Sequence, residues 1–449
     1  MDQKFSVFTK NKINKYNKKI TVDPDKSISH RAYIVASQCL GISKIKCLRS
    51  EDMKATINAL KKLGIKIIKK DGFDHVYGAG ISGFKKFKGV LNFGNSGTSA
   101  RSFLGILTCF PFPVTVTGDA SLKKRPFKRL TDYLEKIGAI IEHSKREKHS
   151  LPIKIHGTKD WALAQRHEIK IKSAQISSAI IYAALQTKGI TEIIESSETR
   201  DHLQRLLKSL KTNIDIKESK GKRITKITGQ TEMKNFLIKV PADPSSACFF
   251  VVQTLLAKKS SLLIRNVCIN KTRTGFIQIL KKMGGRIKLL NKKKYFGEPI
   301  ADLFVQSSNL KGINVPAKWI TNSIDELVVI WIACGLAKGK SYFTGISELR
   351  LKESDRIKTM SEVLRKLKIK THITKDALKI YGNPDIKLKK PIRISSNLDH
   401  RIAMSSFVAG QVTGCKIFIK GFETVSSSFP NFLKLQKKIG AKYEIKYEN

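Results

Sequence analysis

"DKSISHRAYIVASQCL", residues 25–40, joins a short polar cluster to an apolar run of helical length. Similar clusters open five further apolar runs: "NSGTSARSFLGIL" (95–107), "SAQISSAIIYAAL" (173–185), "DPSSACFFVVQTLLA" (243–257), "DELVVIWIACGLA" (325–337) and "DHRIAMSSFVAG" (399–410). Successive runs begin 70, 78, 70, 82 and 74 residues apart. This regular spacing indicates an internal repeat of roughly 75 residues. Six such repeats account for the length of the chain.

Each apolar run is followed by a matching second half. A short strand and a polar stretch lead to an amphipathic helix and a further strand, as in "SKIKCL" followed by "INALKKLGIKII". Strands that alternate with helices predict an α/β fold. The repeats are too long for solenoid units and too short for ordinary domains, so three repeats per domain is the simplest packing. The boundary is expected near "VPADP", residues 240–244, where the fourth repeat begins.

The composition predicts a folded chain without a membrane span. Of the 449 residues, 41% are apolar, which can supply the cores of two domains. The longest apolar runs are shorter than the roughly 20 residues that cross a bilayer. The amino-terminal stretch is basic, lacks a continuous apolar block and does not resemble a secretory signal. Seven scattered cysteines without C-x-x-C spacing predict free thiols in a reducing cytoplasm, not a zinc site.

The formal charge of +49, from 85 basic and 36 acidic residues, raises the question of nucleic-acid binding. The lysines are, however, spread along the entire chain, in helices such as "ALKKLGIKIIKK", and form neither an arginine-rich tract nor a basic tail. This distribution argues against nucleic-acid binding as the main role. A basic background still attracts small anionic substrates.

The start of the first predicted helix carries charges of the unexpected sign. The amino end of a helix has unpaired N–H groups and a partial positive charge, so it favours acidic residues or an anionic ligand. Here the first turns carry Lys26, His30 and Arg31. The other repeats also begin with Ser, Gly, Asn or Asp, which leave N–H groups accessible. Two domains that face each other with such helix starts would form a cleft suited to a polyanionic ligand.

Each motif also has a plain structural interpretation when it is taken alone. Lys26 and Arg31 could belong to a solvated first turn, "GNSGT" (94–98) could be an ordinary turn, and "KSAQISS" (172–178) could be a helix cap. "ELRLKESDRI" (348–357) could be a charged surface helix. The charged clusters nevertheless recur at equivalent places in the repeats, and this recurrence favours a functional interpretation.

Taken together, the motifs resemble the EPSP synthase (3-phosphoshikimate 1-carboxyvinyltransferase) family. The segments in the family's order and spacing are "DKSISHRA", "GNSGTSAR", "GDASLKKRP", "SAQISSA", "DPSSA", "NKTRTGF", "IDEL", "ELRLKESDRI", "DHRIAM" and "SFPNF". The resemblance implies a two-domain inside-out α/β barrel, each domain with three β-α-β-α-β-β repeats, and an active site in the interdomain cleft. It also implies a discontinuous second domain: residues 22–241 would form the first domain, and residues 1–21 with 242–449 the second.

The resemblance implies a transferase reaction. The enolpyruvyl group of phosphoenolpyruvate would pass to the 5-hydroxyl of shikimate 3-phosphate with release of phosphate, on the shikimate pathway to chorismate and the aromatic amino acids. Neither a metal nor an organic cofactor is implied. The expected partners are the two small-molecule substrates, without nucleic acid or membrane, and the expected state is a cytoplasmic monomer.

Carried over position by position, the resemblance implies two overlapping sets of binding residues. Shikimate 3-phosphate is expected to contact Lys26, Ser27, Arg31, Ser173, Ala174, Gln175, Arg200, Asp325 and Lys352. Phosphoenolpyruvate is expected to contact Lys26, Asn95, Gly97, Arg125, Gln175, Arg356 and Arg401. Asp325 is expected to take the 5-hydroxyl proton, and Glu353 to protonate the methylene carbon of phosphoenolpyruvate. Lys26, which reaches both substrates, is the third expected catalytic residue.

The chain departs from the family's usual pattern at several positions. These are Asp23-Pro24 in place of Pro-Gly ahead of the first motif, Ser102 in place of Pro or Leu, Thr199-Arg200 in place of a serine-containing contact, and Ser427 where one branch has lysine. The loop ahead of Lys26 is therefore expected to turn without glycine.

Two alternatives remain on sequence grounds. UDP-N-acetylglucosamine enolpyruvyltransferase shares the fold, but its sequences typically have Lys-Asn at the first motif and a catalytic Cys or Asp loop. Here Ser27 follows Lys26, and no cysteine lies between Thr115 and Arg125. RNA 3'-phosphate cyclase shares the repeat fold, and the high positive charge keeps an RNA-related function open. Phosphate release with two candidate acceptors tests the first alternative, and a salt titration with RNA tests the second.

Overall fold

The computed structural model describes residues 4–143, 149–158, 162–388 and 390–448. The chain forms two compact units. The first unit comprises Asp25–Val240 with Tyr295–Glu298, and the second comprises Met1–Pro24, Pro241–Lys294 and Pro299–Asn449. Both units mix helices and strands, as the alternating sequence pattern predicts.

The elements follow in chain order. The strands are β1 (Phe5–Thr9), β2 (Asn17–Ile20), β3 (Leu40–Lys46), β4 (Lys66–Lys70), β5 (Phe73–Ala79), β6 (Gly89–Asn92), β7 (Val114–Thr117), β8 (Ile140–His143), β9 (Ile153–His156), β10 (Arg166–Glu168), β11 (Ile190–Ser196), β12 (Ile214–Ser219), β13 (Lys222–Thr228), β14 (Leu237–Lys239), β15 (Ser261–Cys268), β16 (Arg286–Tyr295), β17 (Glu298–Gln306), β18 (Gly339–Thr344), β19 (Lys370–Ile373), β20 (Ala377–Gly382), β21 (Ile392–Ser395), β22 (Ile417–Lys420) and β23 (Tyr443–Tyr447). The helices are α1 (Lys26–Ser37), α2 (Glu51–Lys62), α3 (Gly97–Leu107), α4 (Ala120–Lys123), α5 (Lys128–Ile137), α6 (Ala174–Gln186), α7 (His202–Ser209), α8 (Pro244–Leu256), α9 (Gly275–Lys282), α10 (Ala317–Thr321), α11 (Leu327–Gly335), α12 (Arg356–Lys366), α13 (His400–Thr413) and α14 (Phe432–Lys438), with 3₁₀ helices at Ser347–Leu351 and Phe422–Ser427.

The sheets of the first unit share one topology. Their strand orders are β14-β3-β5-β4, β6-β7-β9-β8 and β10-β11-β13-β12. In each sheet the first two strands are parallel and the remaining neighbours are antiparallel. A parallel pair needs a crossover, which α3 supplies between β6 and β7 and α6 supplies between β10 and β11. In the remaining sheet β14, from the end of the unit, pairs with β3 near its start, so the unit closes on itself.

The second unit has sheets of the same kind, completed by strands from the amino terminus. The strand orders are β16-β17-β15-β2, β18-β20-β19 and β21-β22-β1-β23. β1 pairs antiparallel with β22, where Val7 lies opposite Ile419. β2 pairs parallel with β15, where Ile20 lies opposite Ile264. The amino-terminal residues therefore supply strands to two repeats that lie far away in the sequence.

In each unit, buried helices lie inside and the sheets lie outside. Every residue of α11 is buried, as is nearly all of α8 and α13, and α1, α3 and α6 are buried along most of their lengths. A helix that is apolar on all sides has to occupy an interior. The strands alternate between buried and more exposed residues, as β13 does, so one face of each sheet covers these helices. This is the inside-out α/β arrangement that the resemblance implies, and the predicted fold class is confirmed.

Some local expectations are confirmed and one is refined. All seven cysteines are free thiols, as predicted. Within the described ranges, no helix has both the length and the apolar character to cross a membrane. The apolar run that Asp325 opens is helical only from Leu327, two residues later, with Glu326 at the N-cap of α11. The backbone N–H of Glu326 donates to the carbonyl oxygen of Ser323 at 2.9 Å, so Asp325 lies in the turn ahead of the helix.

The loop at Asp23-Pro24 turns without glycine, as expected. Pro24 pairs with Ala242 in an isolated antiparallel bridge, and the N–H of Asp243 donates to the carbonyl oxygen of Asp23 at 2.9 Å. The Asp23 carboxylate accepts hydrogen bonds from the backbone N–H of Asn431 at 3.1 Å and from its side-chain amide at 2.7 Å. Side-chain bonding therefore holds this loop in place.

The packing of α3 on α6 yields a prediction. A Cβ atom at Gly105 would lie 2.2 Å from the carbonyl oxygen of Ala179 and 2.6 Å from its Cα. Gly→Ala inside a helix normally stabilises by about 1 kcal/mol. Here the clash involves backbone atoms, so we expect Gly105→Ala to lower the free energy of unfolding by about 1–3 kcal/mol in urea denaturation. A second substitution, Ala179→Gly, should not restore stability, because the backbone clash persists. A stabilised Gly105→Ala variant would contradict this close packing.

Candidate active site

In the first unit, the starts of three central helices meet. Nη2 of Arg31, in the second turn of α1, donates to Oγ of Ser178 in α6 at 2.9 Å. Nε2 of Gln175, in the first turn of α6, donates to Oγ1 of Thr98 in the first turn of α3 at 3.2 Å. Because these residues lie near the amino ends of their helices, those ends point toward one region. Converging N–H groups and positive helix ends are suited to bind an anion.

The start of α1 places Lys26 in this region. Asp25 caps the helix, and its carboxylate accepts the backbone N–H of Ile28 at 2.7 Å. The first turn of α1 contains no acidic residue. Nζ of Lys26 lies 3.0 Å from Oδ2 of Asp52, and the two side chains are 19% and 11% exposed. Lys26 is therefore held by an ion pair that leaves part of its side chain accessible.

His30 lies in the same helix, between two cations. Its Nδ1 is 2.8 Å from Oγ1 of Thr56, and the ring is fully buried. Burial, together with the charges of Lys26 and Arg31, holds the pKa of His30 well below its usual range. The imidazole is therefore neutral at neutral pH. Arg31 is 4% exposed and also donates to the carbonyl oxygen of Ser27 at 2.9 Å, which fixes its guanidinium beside the helix start.

The start of α3 brings further cations together. Ser96 caps α3, and the side-chain oxygen of the preceding Asn95 accepts a hydrogen bond from Nη2 of Arg125. A Cβ atom at Gly97 would lie 2.7 Å from Nη1 of Arg101 and 3.1 Å from Nη1 of Arg125. A side chain at Gly97 would therefore displace a guanidinium group, so glycine leaves room for both arginines.

The remaining expected residues of the first unit lie at the start of α6 and after β11. Ser173 is the N-cap of α6 but makes no side-chain capping bond, and Ala174 and Gln175 are its first two residues. All three side chains are half-buried. Arg200 is half-buried and lies in the turn between β11 and α7. The contacts of Arg31 and Gln175 thus connect the start of α6 with those of α1 and α3.

In the second unit, acidic side chains surround one buried arginine. Nε of Arg356 lies 2.8 Å from Oδ2 of Asp399, Nη2 lies 2.5 Å from Oε2 of Glu353, and Nη1 lies 3.5 Å from Oδ1 of Asp325. The guanidinium is 1% exposed, whereas Asp325 and Glu353 are 18% and 19% exposed. Burial opposes the charge of Arg356, but the carboxylates outweigh it and raise its pKa above the ordinary value. The arginine therefore stays charged and fixes both partly accessible carboxylates.

Arg401 and Lys352 lie beside this group. Arg401, in the first turn of α13, donates from Nη1 to the carbonyl oxygen of Asp325 at 2.8 Å. Its backbone N–H donates at 2.9 Å to the Asp399 carboxylate, which caps α13. Lys352 is half-buried and immediately precedes Glu353. The start of α13, the turn at Asp325 and the loop ahead of α12 are thus brought together within this unit.

The two groups of residues have different chemical capacities. The group of the first unit combines helix starts with lysine and arginine, which bind phosphate and carboxylate. The group of the second unit presents two carboxylates that share a guanidinium, an arrangement able to give and take protons. Sequence reasoning missed the partners Asp52, Thr98 and Arg101. Their acidic, hydroxyl and basic side chains lie near expected motifs, but only tertiary contacts single them out.

The Lys26–Asp52 pair yields a prediction about stability. From the sequence alone, Lys26→Met is expected to leave stability nearly unchanged, because a cation at a helix start is unfavourable. With the ion pair, we expect Lys26→Met to lower the free energy of unfolding by about 1–3 kcal/mol, because it strands a largely buried carboxylate. The double variant Lys26→Met/Asp52→Asn should recover most of this loss in urea denaturation. Strictly additive effects of the two substitutions would contradict the pairing.

The lowered pKa of His30 yields a second prediction. Below about pH 6.5 the unfolded chain binds a proton at His30 and the folded chain does not, so the free energy of unfolding falls as the pH decreases. The slope from this group is at most about 1.4 kcal/mol per pH unit. His30→Asn keeps a polar group near Thr56 but cannot titrate, so it should flatten this part of the profile. Urea denaturation between about pH 5 and pH 8 measures the difference between the two proteins. Parallel profiles would contradict a neutral His30.

Comparisons with known proteins identify the family of this chain. The model of the EPSP synthase (3-phosphoshikimate 1-carboxyvinyltransferase) family matches residues 10–435. The 3-phosphoshikimate 1-carboxyvinyltransferase of Zymomonas mobilis is 41% identical over 432 residues, covering 95% of each chain. The 3-phosphoshikimate 1-carboxyvinyltransferase of Petrotoga mobilis is 42% identical over 426 residues, covering 94% of this chain and 97% of the relative.

Solved structures are also similar to this chain. An EPSP synthase structure from Acinetobacter baumannii is 36% identical with a TM-score of 0.85, covering 98% of this chain and all of that one. The enolpyruvyl transferase NikO from Streptomyces tendae is 12% identical with a TM-score of 0.77, covering 99% of this chain and all of its own, and shares the fold alone. The chain belongs to the EPSP synthase family.

Proposed function

We propose that this chain transfers the enolpyruvyl group of phosphoenolpyruvate to the 5-hydroxyl of shikimate 3-phosphate and releases phosphate. Family membership supports the proposal, and one observation of the site carries it. Asp325 and Glu353, both partly accessible, contact the same buried guanidinium of Arg356. The addition requires a base at the attacking hydroxyl and an acid at the methylene carbon, and two fixed carboxylates can fill these roles.

The proposed substrate contacts follow the arrangement of the helix starts. Shikimate 3-phosphate is assigned to Lys26, Ser27, Arg31, Ser173, Ala174, Gln175, Arg200, Asp325 and Lys352. Phosphoenolpyruvate is assigned to Lys26, Asn95, Gly97, Arg125, Gln175, Arg356 and Arg401. Both substrates carry a phosphate and a carboxylate, and arginine binds such groups with paired hydrogen bonds. The positive ends of α1, α3 and α6 favour the same anions.

The proposed mechanism has two steps. In the first, the 5-hydroxyl oxygen of shikimate 3-phosphate attacks C2 of phosphoenolpyruvate, Asp325 takes the hydroxyl proton, and Glu353 protonates C3. This gives a tetrahedral intermediate with a methyl group. In the second, the Glu353 carboxylate removes a methyl proton, the C2–O bond to phosphate breaks, and the Asp325 proton passes to the departing phosphate. Neighbouring cations stabilise the charge that builds up on that phosphate.

The proposal extends to the setting in which the enzyme works. We propose a cytoplasmic monomer that acts on its two small-molecule substrates without nucleic acid. The excess of lysine then belongs to the surface in general. Binding to RNA that is sequence-blind and disappears at moderate salt would agree with this interpretation, because such binding reflects charge alone. UDP-N-acetylglucosamine is the less favoured acceptor, since the relatives found at about 40% identity carry the shikimate name.

A phosphate-release assay tests the proposed function. We expect release from phosphoenolpyruvate with shikimate 3-phosphate and none with UDP-N-acetylglucosamine. Asp325→Asn and Glu353→Gln should each reduce kcat by roughly 10²- to 10⁴-fold, because each removes one proton-transfer group.

Glu362→Gln is the matched control, since Glu362 is an exposed carboxylate on α12, the helix that follows Glu353. It should retain the activity of the unmodified chain. Absence of turnover with shikimate 3-phosphate, or equal release with the nucleotide sugar, would refute the proposed function.

A further inference from the structure

A buried carboxylate lies directly behind the start of α6. Glu195, near the end of β11, is 2% exposed. Its Oε1 accepts hydrogen bonds from Oγ of Ser177 at 3.1 Å and from Nε2 of Gln204 at 2.8 Å. Ser177 lies in the first turn of α6, and Gln204 lies in the first turn of α7. The Glu195 side chain thus links the first turns of α6 and α7 to β11.

Arg223 continues this network into the turn after β11. It is fully buried, and it lies opposite Glu195 across the strands, with Nη1 3.5 Å from the Glu195 carboxylate. The same guanidinium donates from Nη1 to the carbonyl oxygen of Thr199 and from Nη2 to that of Ser197, both at 2.9 Å. These bonds hold the backbone of the turn just ahead of Arg200.

Burial of the charged groups in this network costs desolvation free energy. Burial raises the pKa of Glu195 to about 7, although Arg223 and the bond from Ser177 act in the opposite direction. The other charged groups that face the pair are Asp201, which further raises this pKa, and Glu218, which lies 3.0 Å from Arg223. A buried ion pair of this kind is often no more stabilising than apolar residues of the same size. Because this costly pair lies beside the start of α6, its position points to a role other than stability.

We propose that the Glu195–Arg223 pair positions the shikimate 3-phosphate part of the site, by fixing the turn that carries Arg200 and the first turn of α6. This inference rests on the proposed function, and it assigns Glu195 and Arg223 as positioning residues for that function. Neither side chain reaches the substrate in this proposal. The pair acts through the backbone at residues 197–199 and through Ser177, so its loss should affect one substrate more than the other.

Glu195→Gln tests the inference, because it removes the charge and keeps the shape. Well above pH 7, where Glu195 of the unmodified chain is ionised, we expect the substitution to raise the KM for shikimate 3-phosphate roughly tenfold, about the contribution of one hydrogen bond to a charged ligand. The KM for phosphoenolpyruvate and kcat should change little. Calorimetric binding of shikimate 3-phosphate without phosphoenolpyruvate should show the same loss of affinity.

Glu192→Gln is the matched control. Glu192 lies on the same strand and pairs at the surface with Arg166 and Lys226. It should leave both KM values unchanged. Ser177→Ala provides a second variant that cuts only the link to α6, and a partial rise in the KM for shikimate 3-phosphate is expected. If Glu195→Gln does not fold, Ser177→Ala tests the inference in its place.

The pH profile gives an independent readout. As the pH falls through about 7, Glu195 of the unmodified chain becomes protonated. The KM for shikimate 3-phosphate should then approach that of Glu195→Gln. The substrate phosphate titrates near pH 6, but it does so for both proteins, so the ratio of their KM values reports Glu195.

The possible failures can be told apart. If the unmodified chain neither binds nor turns over shikimate 3-phosphate, the proposed function fails and the inference fails with it. If it turns over the substrate and Glu195→Gln matches the Glu192→Gln control, only the inference fails. Equal losses in both KM values and kcat, with a lower thermal midpoint, would show a merely structural role and also overturn it.

Discussion

The fold and the site both depend on one constraint. The unpaired N–H groups at the starts of buried helices need hydrogen-bond partners. α1, α3 and α6 are buried along most of their lengths, so they lie inside their unit and their starts come close together. Asp25 and Ser96 each accept one N–H group, which leaves a positive field at the ends of these helices. Cations among them add to this field. Lys26 is thus one of several cations at these helix starts, and Asp52 is its ion-pair partner.

The two units gather different groups of side chains at the starts of their central helices. In the second unit, Asp243 and Asp399 cap α8 and α13, so that acidic side chains occupy the helix starts. Arg356 then gathers Asp325, Glu353 and Asp399 around a single guanidinium. Buried charge is tolerable only where it is paired and hydrogen-bonded, and here Asp399 supplies the fully buried partner. Asp325 and Glu353 are left partly accessible, which proton transfer requires. The same repeat thus carries a group rich in cations in the first unit and a carboxylate–guanidinium group in the second.

The sequence predicts the repeat, the α/β class and the central helices because burial and polarity alternate locally along the chain. It does not predict which side chains meet. Lys26 and Asp52 are 26 residues apart, and Arg356 and Asp399 are 43 apart, so these pairs depend on how the sheets stack. The expected role of Arg356 in holding phosphoenolpyruvate rests on resemblance, whereas its three carboxylate partners emerge only from tertiary structure. The sequence pattern also does not show where α11 begins, because the apolar run opens at Asp325 but the turn after Ser323 delays the helix to Leu327.

Asp23 shows how a side chain can replace the backbone freedom of glycine. A glycine in the loop ahead of the first motif could adopt positive φ, whereas Asp23 and Pro24 are not among the residues with left-handed backbone. The Asp23 carboxylate instead binds both nitrogens of Asn431, in the motif "SFPNF". Burial raises the pKa of Asp23, the bonds from Asn431 oppose the shift, and the nearby charge of Asp243 adds to it. Loss of the bonds from Asn431 would raise the pKa of Asp23 further. The motif near the carboxyl terminus therefore has a structural task within its own unit: it satisfies the buried acid that fixes the loop.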